Sequence, residues 1–375
     1  MIEACDGCLR RGHLVGRLAA PIARLLDQRG RREPGLLALE DHDLVAAVAG
    51  DGIEEAVRFL DGFDPRVARR ELSARSLGAL CRHAARYPEP LLRLGDPPAV
   101  LFVAGSSGPL MRMTAEPAVA LVGTRNASAY GLEMAYELGR GLGAAGVSVV
   151  SGLALGIDAA AHRGCLDARG TGVAVLAGGA DVPYPRTNSG LYRSMLACGT
   201  VISELPPGQR AYRWAFPARN RIMAGLAAVI VVVEAAEPSG SLITSTFAEQ
   251  LGRTVAAVPG RATSRLSAGN NRLLKDGALM VTSARDILDE LYGVGVEPRA
   301  RPQAQAGGDA EAEGGLDAVE QRVLDAIEAG LGIDGLCAHS GLPAREARAL
   351  LSRLESSGHL RRDGLGGYRR TAAIR

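Results

Sequence analysis

From residue 119 onward the chain repeats one pattern: a short apolar run rich in valine, a helix-length segment, then another apolar run. The runs read "VALVG", "VSVVSG", "GVAVLAGG", "TVISEL", "AVIVVVEA", "TVAAVPG" and "LMVTS". They are continuous rather than alternating, so both faces of each strand are apolar and both need cover. Strands of this kind separated by helices build a doubly wound α/β fold around a mostly parallel sheet. In such a sheet ligands bind beyond the carboxyl ends of the strands, so the loops after the runs are where function is sought.

The rest of the chain is organised around that core. At 375 residues it is long enough for two or three domains, and 47% hydrophobic content supports a folded interior. Residues 1–85 hold short charged segments with helix-spaced apolar positions, as in "DLVAAVAG" and "IEEAVRFLDGF", and predict a small helical domain. The proline-punctuated stretch 87–105 leads into the main domain. After Tyr292, "GVGVEPRARPQAQAGGDAEAEGG" has almost no large apolar residues and reads as a linker. Three helix-sized segments and two short strands around "DGLGG" then describe a winged helix-turn-helix domain.

A net charge of +2 leaves any nucleic-acid role to a local basic patch. No apolar run is long enough to cross a membrane, the first residues lack a signal-peptide core, and a cytoplasmic location is expected. Six cysteines spread over so long a chain suit reduced thiols. Cys5 and Cys8 form a C-x-x-C with His13 nearby, but Cys81, Cys165, Cys198 and Cys337 offer no second pair at zinc-site spacing. The expectation is therefore ordinary thiols and no metal.

The first loop of the core reads "GTRNASAYG". It lacks the dinucleotide fingerprint G-x-G-x-x-G, no Walker loop occurs in the chain, and neither a dehydrogenase nor an ATPase is supported. Arg125, directly after the Gly123-Thr124 turn, instead offers a planar fork to a phosphate. A later loop, "QRAYRWAFPARNR", interleaves Arg210, Arg213, Arg219 and Arg221 with Tyr212, Trp214 and Phe216 and has no acid. In a chain only 4% aromatic, that concentration fits single-stranded nucleic acid, phosphates on guanidiniums and bases on rings. The competing account puts Trp214 and Phe216 in the core. Asp158 and His162 lie four apart in "GIDAAAHRG" and are read as a helix cap with a local histidine contact rather than as a catalytic pair.

These loops resemble those of the DNA-processing protein A family (DprA, or Smf) of bacterial natural transformation. The resemblance runs in order through "VGTRNASAYG", "SGLALGIDAAAHRG", "YPRTN", "FPARNRIMAGL", "VEAAEPSGSLITS", "VPG" and "GNNRLLKDGA", with Thr124 where many members have serine. It implies an extended Rossmann-like core that binds single-stranded DNA, forms a homodimer and delivers the DNA to the recombinase RecA, with no metal or nucleotide cofactor and no catalytic residue. The family's phosphate-gripping arginine falls on Arg125, with Gly123 and Thr124 forming its turn. Its further DNA contacts fall on Arg186, Arg213, Phe216, Arg219, Asn220 and Arg221. The expected division is a helical, SAM- or HhH-like domain over 1–85, the DNA-binding core over 86–292, a linker over 293–315 and the winged helix over 316–375.

Two other readings compete. Rossmann-like phosphoribohydrolases use a loop resembling "PSGSLITS" and need a carboxylate in a nucleotide pocket, for which Glu234 and Glu249 are the candidates. A transcription regulator would read duplex DNA with its winged helix. Residues 316–375 carry nine arginines against eight acids, without the clean basic face of a major-groove reader, so a protein contact or weak DNA contact is expected there.

Overall fold

The computed structural model describes residues 2–29 and 35–296, and in the C-terminal region 318–328, 333–340, 343, 347, 350–351, 354, 360–362 and 368–370. The chain divides into two compact units, Met1–Pro302 and Gln303–Arg375.

The first unit opens with β1 (Ile2–Glu3), then α1 (Asp6–Arg17), α2 (Ala19–Arg29), α3 (Asp41–Val48), α4 (Ile53–Gly62) and α5 (Pro65–Ala74), and then β2 (Gly78–Cys81). β3 (Val100–Gly105) and the short α6 (Gly108–Arg112) lead into the repeating part. There β4 (Ala118–Gly123), α7 (Ala129–Ala144), β5 (Ser148–Ser151), α8 (Ile157–Asp167), β6 (Gly172–Val175), α9 (Ser189–Cys198) and β7 (Thr200–Ser203) succeed one another. After them come α10 (Ala215–Leu226), β8 (Val229–Glu234), α11 (Leu242–Gln250), β9 (Thr254–Ala257), α12 (Ala268–Lys275), β10 (Leu279–Met280) and α13 (Ala284–Tyr292).

All ten strands form one sheet in the order β1-β2-β3-β7-β6-β5-β4-β8-β9-β10. Only β3 runs against the others, pairing antiparallel with both β2 and β7. The expected parallel sheet is therefore present, and larger than the periodic runs alone imply. Residues 1–85 are not a separate helical body, because β1 and β2 extend the sheet and the compact unit includes them. Two- and four-residue strands among amphipathic helices carry too little periodicity to be read from sequence.

Neighbouring strand residues serve opposite cores. Ala118, Ala120 and Val122 of β4 pack with Ile222, Met223 and Leu226 of α10. Val119 and Leu121 pack with Leu138 and Leu142 of α7, Ile157 of α8 and Ile287 of α13. On that second face α7 and α8 touch backbone to backbone: a Cβ on Gly139 would lie 2.2 Å from the Ala161 carbonyl oxygen, and one on Gly164 2.0 Å from that of Tyr136. Helices α1 to α4 share a core with Leu205, Ala215 and Trp214, and the Trp214 indole Nε1 donates to the Ala19 carbonyl at 2.9 Å.

In the second unit, α14 (Ala318–Glu328) and α15 (Ile333–Ser340) precede an antiparallel pair, β11 (Leu360–Arg362) and β12 (Tyr368–Arg370). Helical positions Ala347, Leu350, Leu351 and Leu354 join Val323, Leu324, Leu336 and Leu360 in its core. Helices over a two-stranded wing match the expectation for this region. Most of the expected linker, from residue 297 on, and Arg345, Arg348 and Arg353 lie outside the described residues.

Candidate nucleic-acid interface

The strand order reverses at β4. From it the chain winds outward through β5, β6 and β7 on one side, then returns to place β8 against its other side. Loops leaving the carboxyl ends of β4 and β8 diverge at such a switch point and open a crevice. Since β4 to β9 are parallel through successive pairs, the loops after all six strands gather along one rim.

Gly123 ends β4 inside that crevice. A Cβ there would lie 2.5 Å from Ile157 Cγ1 and 2.8 Å from the Glu234 carbonyl oxygen, so the glycine permits close packing of three elements. Thr124 donates its backbone N–H to that same carbonyl at 2.7 Å, and its hydroxyl oxygen accepts the Asn126 N–H at 3.2 Å. Gly156, at φ +74°, lets the loop after β5 press against the Thr124 carbonyl, where a side chain would collide at 2.3 Å. These contacts set the exposed Arg125 at the mouth of the crevice.

The Arg125 guanidinium carbon lies 4.5 Å from the centre of the Phe216 ring, and Arg219 lies 5.4 Å from the same ring. Tyr184, half exposed, meets Phe216 at 5.5 Å between ring centres. Three rim loops thus contribute to one cluster of ring and guanidinium planes. Arg125, Arg186 and Arg213 are all exposed, and among the described residues none is paired with a carboxylate. Arg210 lies over the Tyr212 ring at 4.9 Å. Arg261 and Arg265, in the loop after β9, are likewise exposed at the rim without an acid partner among the described residues. Sequence reasoning passed over that pair because "VPGRATSR" holds no aromatic residue to draw attention to it.

Two arginines of "FPARNR" stand elsewhere. Arg221 is 3% exposed; its Nε donates to Asp96 at 2.9 Å and its NH2 group to both Glu204 oxygens at 2.7 and 2.9 Å. Burial alone would lower its pKa, but Glu204 and Asp96 outweigh that and raise it. Arg219 is 7% exposed, donates to the carbonyls of Gly152 and Val175, and has Asp158 at 3.7 Å. Burial brings its pKa down to about 10; Asp158 opposes this and Arg125 adds to it. The expectation that Arg219 and Arg221 contact DNA directly therefore gives way to interior roles: Arg221 fastens α10, and Arg219 braces Phe216 from behind. A helix of period 3.6 that packs on a sheet must turn some of its arginines inward. Asn220 is half-buried and donates to the Gly240 carbonyl at 3.2 Å, holding the "EPSGSL" loop. Trp214 belongs to the core, as the competing account has it, while Phe216 sits at the boundary.

Neither candidate carboxylate of the phosphoribohydrolase reading is a free acid in a nucleotide pocket. Glu234 is 2% exposed and accepts the Ser128 N–H at 2.7 Å and hydroxyl at 2.6 Å, which ties it to the start of α7. Glu249 is exposed on α11. Asp158 accepts the N–H groups of Gly152 at 3.1 Å and Ala154 at 3.3 Å, so it closes the turn before α8 rather than capping a helix beside His162.

His162 is fully buried, and burial lowers its pKa from 6.5 to about 4. Between those values the unfolded chain binds a proton that the folded chain refuses. The stability tied to a neutral His162 is thus complete above about pH 6.5 and is lost as pH falls toward 4. Urea unfolding is expected to show about 2 kcal/mol less stability at about pH 5 than at about pH 7.5, a difference that His162→Gln largely removes. Equal pH dependence in the variant would contradict this assignment.

The family model for DNA recombination-mediator protein A matches residues 78–292, and a DprA winged helix domain model matches residues 303–364. The chain belongs to the DprA family. It is 42% identical over 267 residues to the putative DNA processing protein DprA of Mycobacterium tuberculosis, covering 70% of this chain and 67% of that protein. DprA of Bacillus subtilis is 37% identical over 234 residues, covering 62% and 78%. Among solved structures, DprA of Streptococcus pneumoniae superposes with a TM-score of 0.60 at 31% identity, over 77% of this chain and 99% of that one. DprA of Helicobacter pylori, whose structure is described for its single-stranded DNA binding mode, gives 0.52 at 26% identity, over 57% and 95%. The DprA core and its C-terminal winged helix are thus both present.

Proposed function

We propose that the chain binds single-stranded DNA along the carboxyl rim of its sheet and, as a homodimer, passes it to the recombinase RecA in the cytoplasm, acting as a mediator of natural transformation with no catalytic step. The observation that carries the DNA reading is Arg125: an exposed guanidinium, without an acid partner among the described residues, resting on Phe216 at the switch point of the sheet. A lone phosphate would need a cradle of backbone amides, whereas a polymer needs separated cationic handholds and flat faces between them. Arg125, Arg186, Arg210 and Arg213, with Phe216 and Tyr184, supply such a series, and Arg261 and Arg265 extend it beyond β8. The Helicobacter pylori relative supports a single-stranded substrate. The tie between Glu234 and Ser128 argues against nucleotide hydrolysis.

Titration of oligo-dT and of a mixed-sequence duplex at two salt concentrations tests this reading. Binding to oligo-dT is expected to be the tighter and to weaken steeply with salt, each phosphate contact adding about 0.7 to the log–log slope. A preference for one duplex sequence would favour the transcription-regulator reading, and salt-independent binding would remove the arginines from the interface.

A further inference from the structure

We propose a zinc site formed by Cys5, Cys8, Cys81 and His83, which join α1 to the end of β2. The sequence displays only the C-x-x-C half, and the second half, Cys81-x-His83, lies some 75 residues away. The pairing of β1 with β2 brings them together: Ile2 lies opposite Ala79 and Glu3 opposite Leu80, so the chain leaving β1 turns into α1 directly over the end of β2. Cys5 caps α1, Cys8 sits in its first turn, and Cys81 is the last residue of β2.

The four ligand atoms all lie within 4.8 Å of one another. His83 Nδ1 is 3.5 Å from Cys5 Sγ and 3.5 Å from Cys8 Sγ. Zinc bonds of about 2.3 Å to sulfur and about 2.0 Å to nitrogen, set tetrahedrally, give sulfur–nitrogen edges of about 3.5 Å and sulfur–sulfur edges of about 3.8 Å. The histidine edges already have that length, and side-chain movement of about 1 Å closes the widest edge. The Cys5 backbone N–H points at Cys81 Sγ at 3.4 Å, a donor to the thiolate of the kind that surrounds bound metal. Cys8 and Cys81 are buried while Cys5 and His83 reach the surface, leaving a path of entry. Three sulfurs and one imidazole suit zinc above magnesium or calcium, and four protein ligands leave no open position, so the metal is a structural staple. Uptake exchanges the three thiol protons for one Zn²⁺, and the protons go to solvent.

Full-length protein purified without chelator is expected to carry one zinc per chain by mass spectrometry, falling below about a tenth of that in a Cys5→Ser, Cys81→Ser variant. Should the variant not fold, cobalt exchange into the unaltered protein decides: the intense visible bands of a tetrahedral centre with a sulfur-to-cobalt charge-transfer band are expected, and His83→Cys should shift them without abolishing them. Metal-free protein that gives only the pale octahedral cobalt spectrum after reduction would overturn the site. So would a disulfide between two of these cysteines in protein that, once reduced, takes up no zinc.

Discussion

Arg125→Ala is expected to weaken oligo-dT binding by about tenfold to a hundredfold, because hydrogen bonds to a charged group contribute about 1.5–3 kcal/mol. The variant also loses one counterion-releasing contact, so the salt dependence should become shallower by about 0.7 in log–log slope. Arg125→Lys separates charge from shape. It keeps the cation but gives up the planar fork and much of the stacking on Phe216, which the guanidinium meets at 4.5 Å, so its affinity should fall between the two. Arg125 is exposed and has no acid partner among the described residues, and its removal should leave the urea midpoint where it is. Binding unchanged at low salt in Arg125→Ala would withdraw the phosphate assignment.

Arg221→Ala should do the reverse. Its guanidinium is buried beside Asp96 and Glu204, and truncation leaves two half-buried carboxylates with their shared cation gone. Breaking a fully buried pair from one side costs about 3–5 kcal/mol, and the partial exposure of both carboxylates puts the loss here at about 2–3 kcal/mol. Equilibrium unfolding is expected to record that loss, and under conditions where the variant remains folded its affinity for oligo-dT should stay within about twofold of the parent, well under 1 kcal/mol. If Arg221→Ala instead folded normally and bound DNA weakly, Arg221 would belong to the interface after all. Together the two substitutions separate arginines that sequence reading had placed in one set.

The winding of the core was legible because it is written locally. Valine runs with both faces apolar state that helices must cover them, and the alternation of runs and helical segments states the parallel topology. The turn of Gly123 and Thr124 at the end of β4, with Arg125 after it, was legible for the same reason, since a strand ending in a small residue before a cation is a local arrangement. The particular duty of Gly123 was not: it makes room for Ile157 and Glu234, residues from other parts of the chain.

The class of sheet and the side-chain chemistry of the loops along its carboxyl rim could be read from the residues alone. Which arginines face solvent, the strands that residues 1–85 add to the sheet, and the place of Cys81 and His83 beside Cys5 and Cys8 emerge only in the folded chain. Periodicity and turn chemistry act over a few residues and leave a local trace. Burial, charge pairing and ligand clusters depend on residues distant in the chain, such as Glu204 and Asp96 around Arg221, and folding alone makes them neighbours.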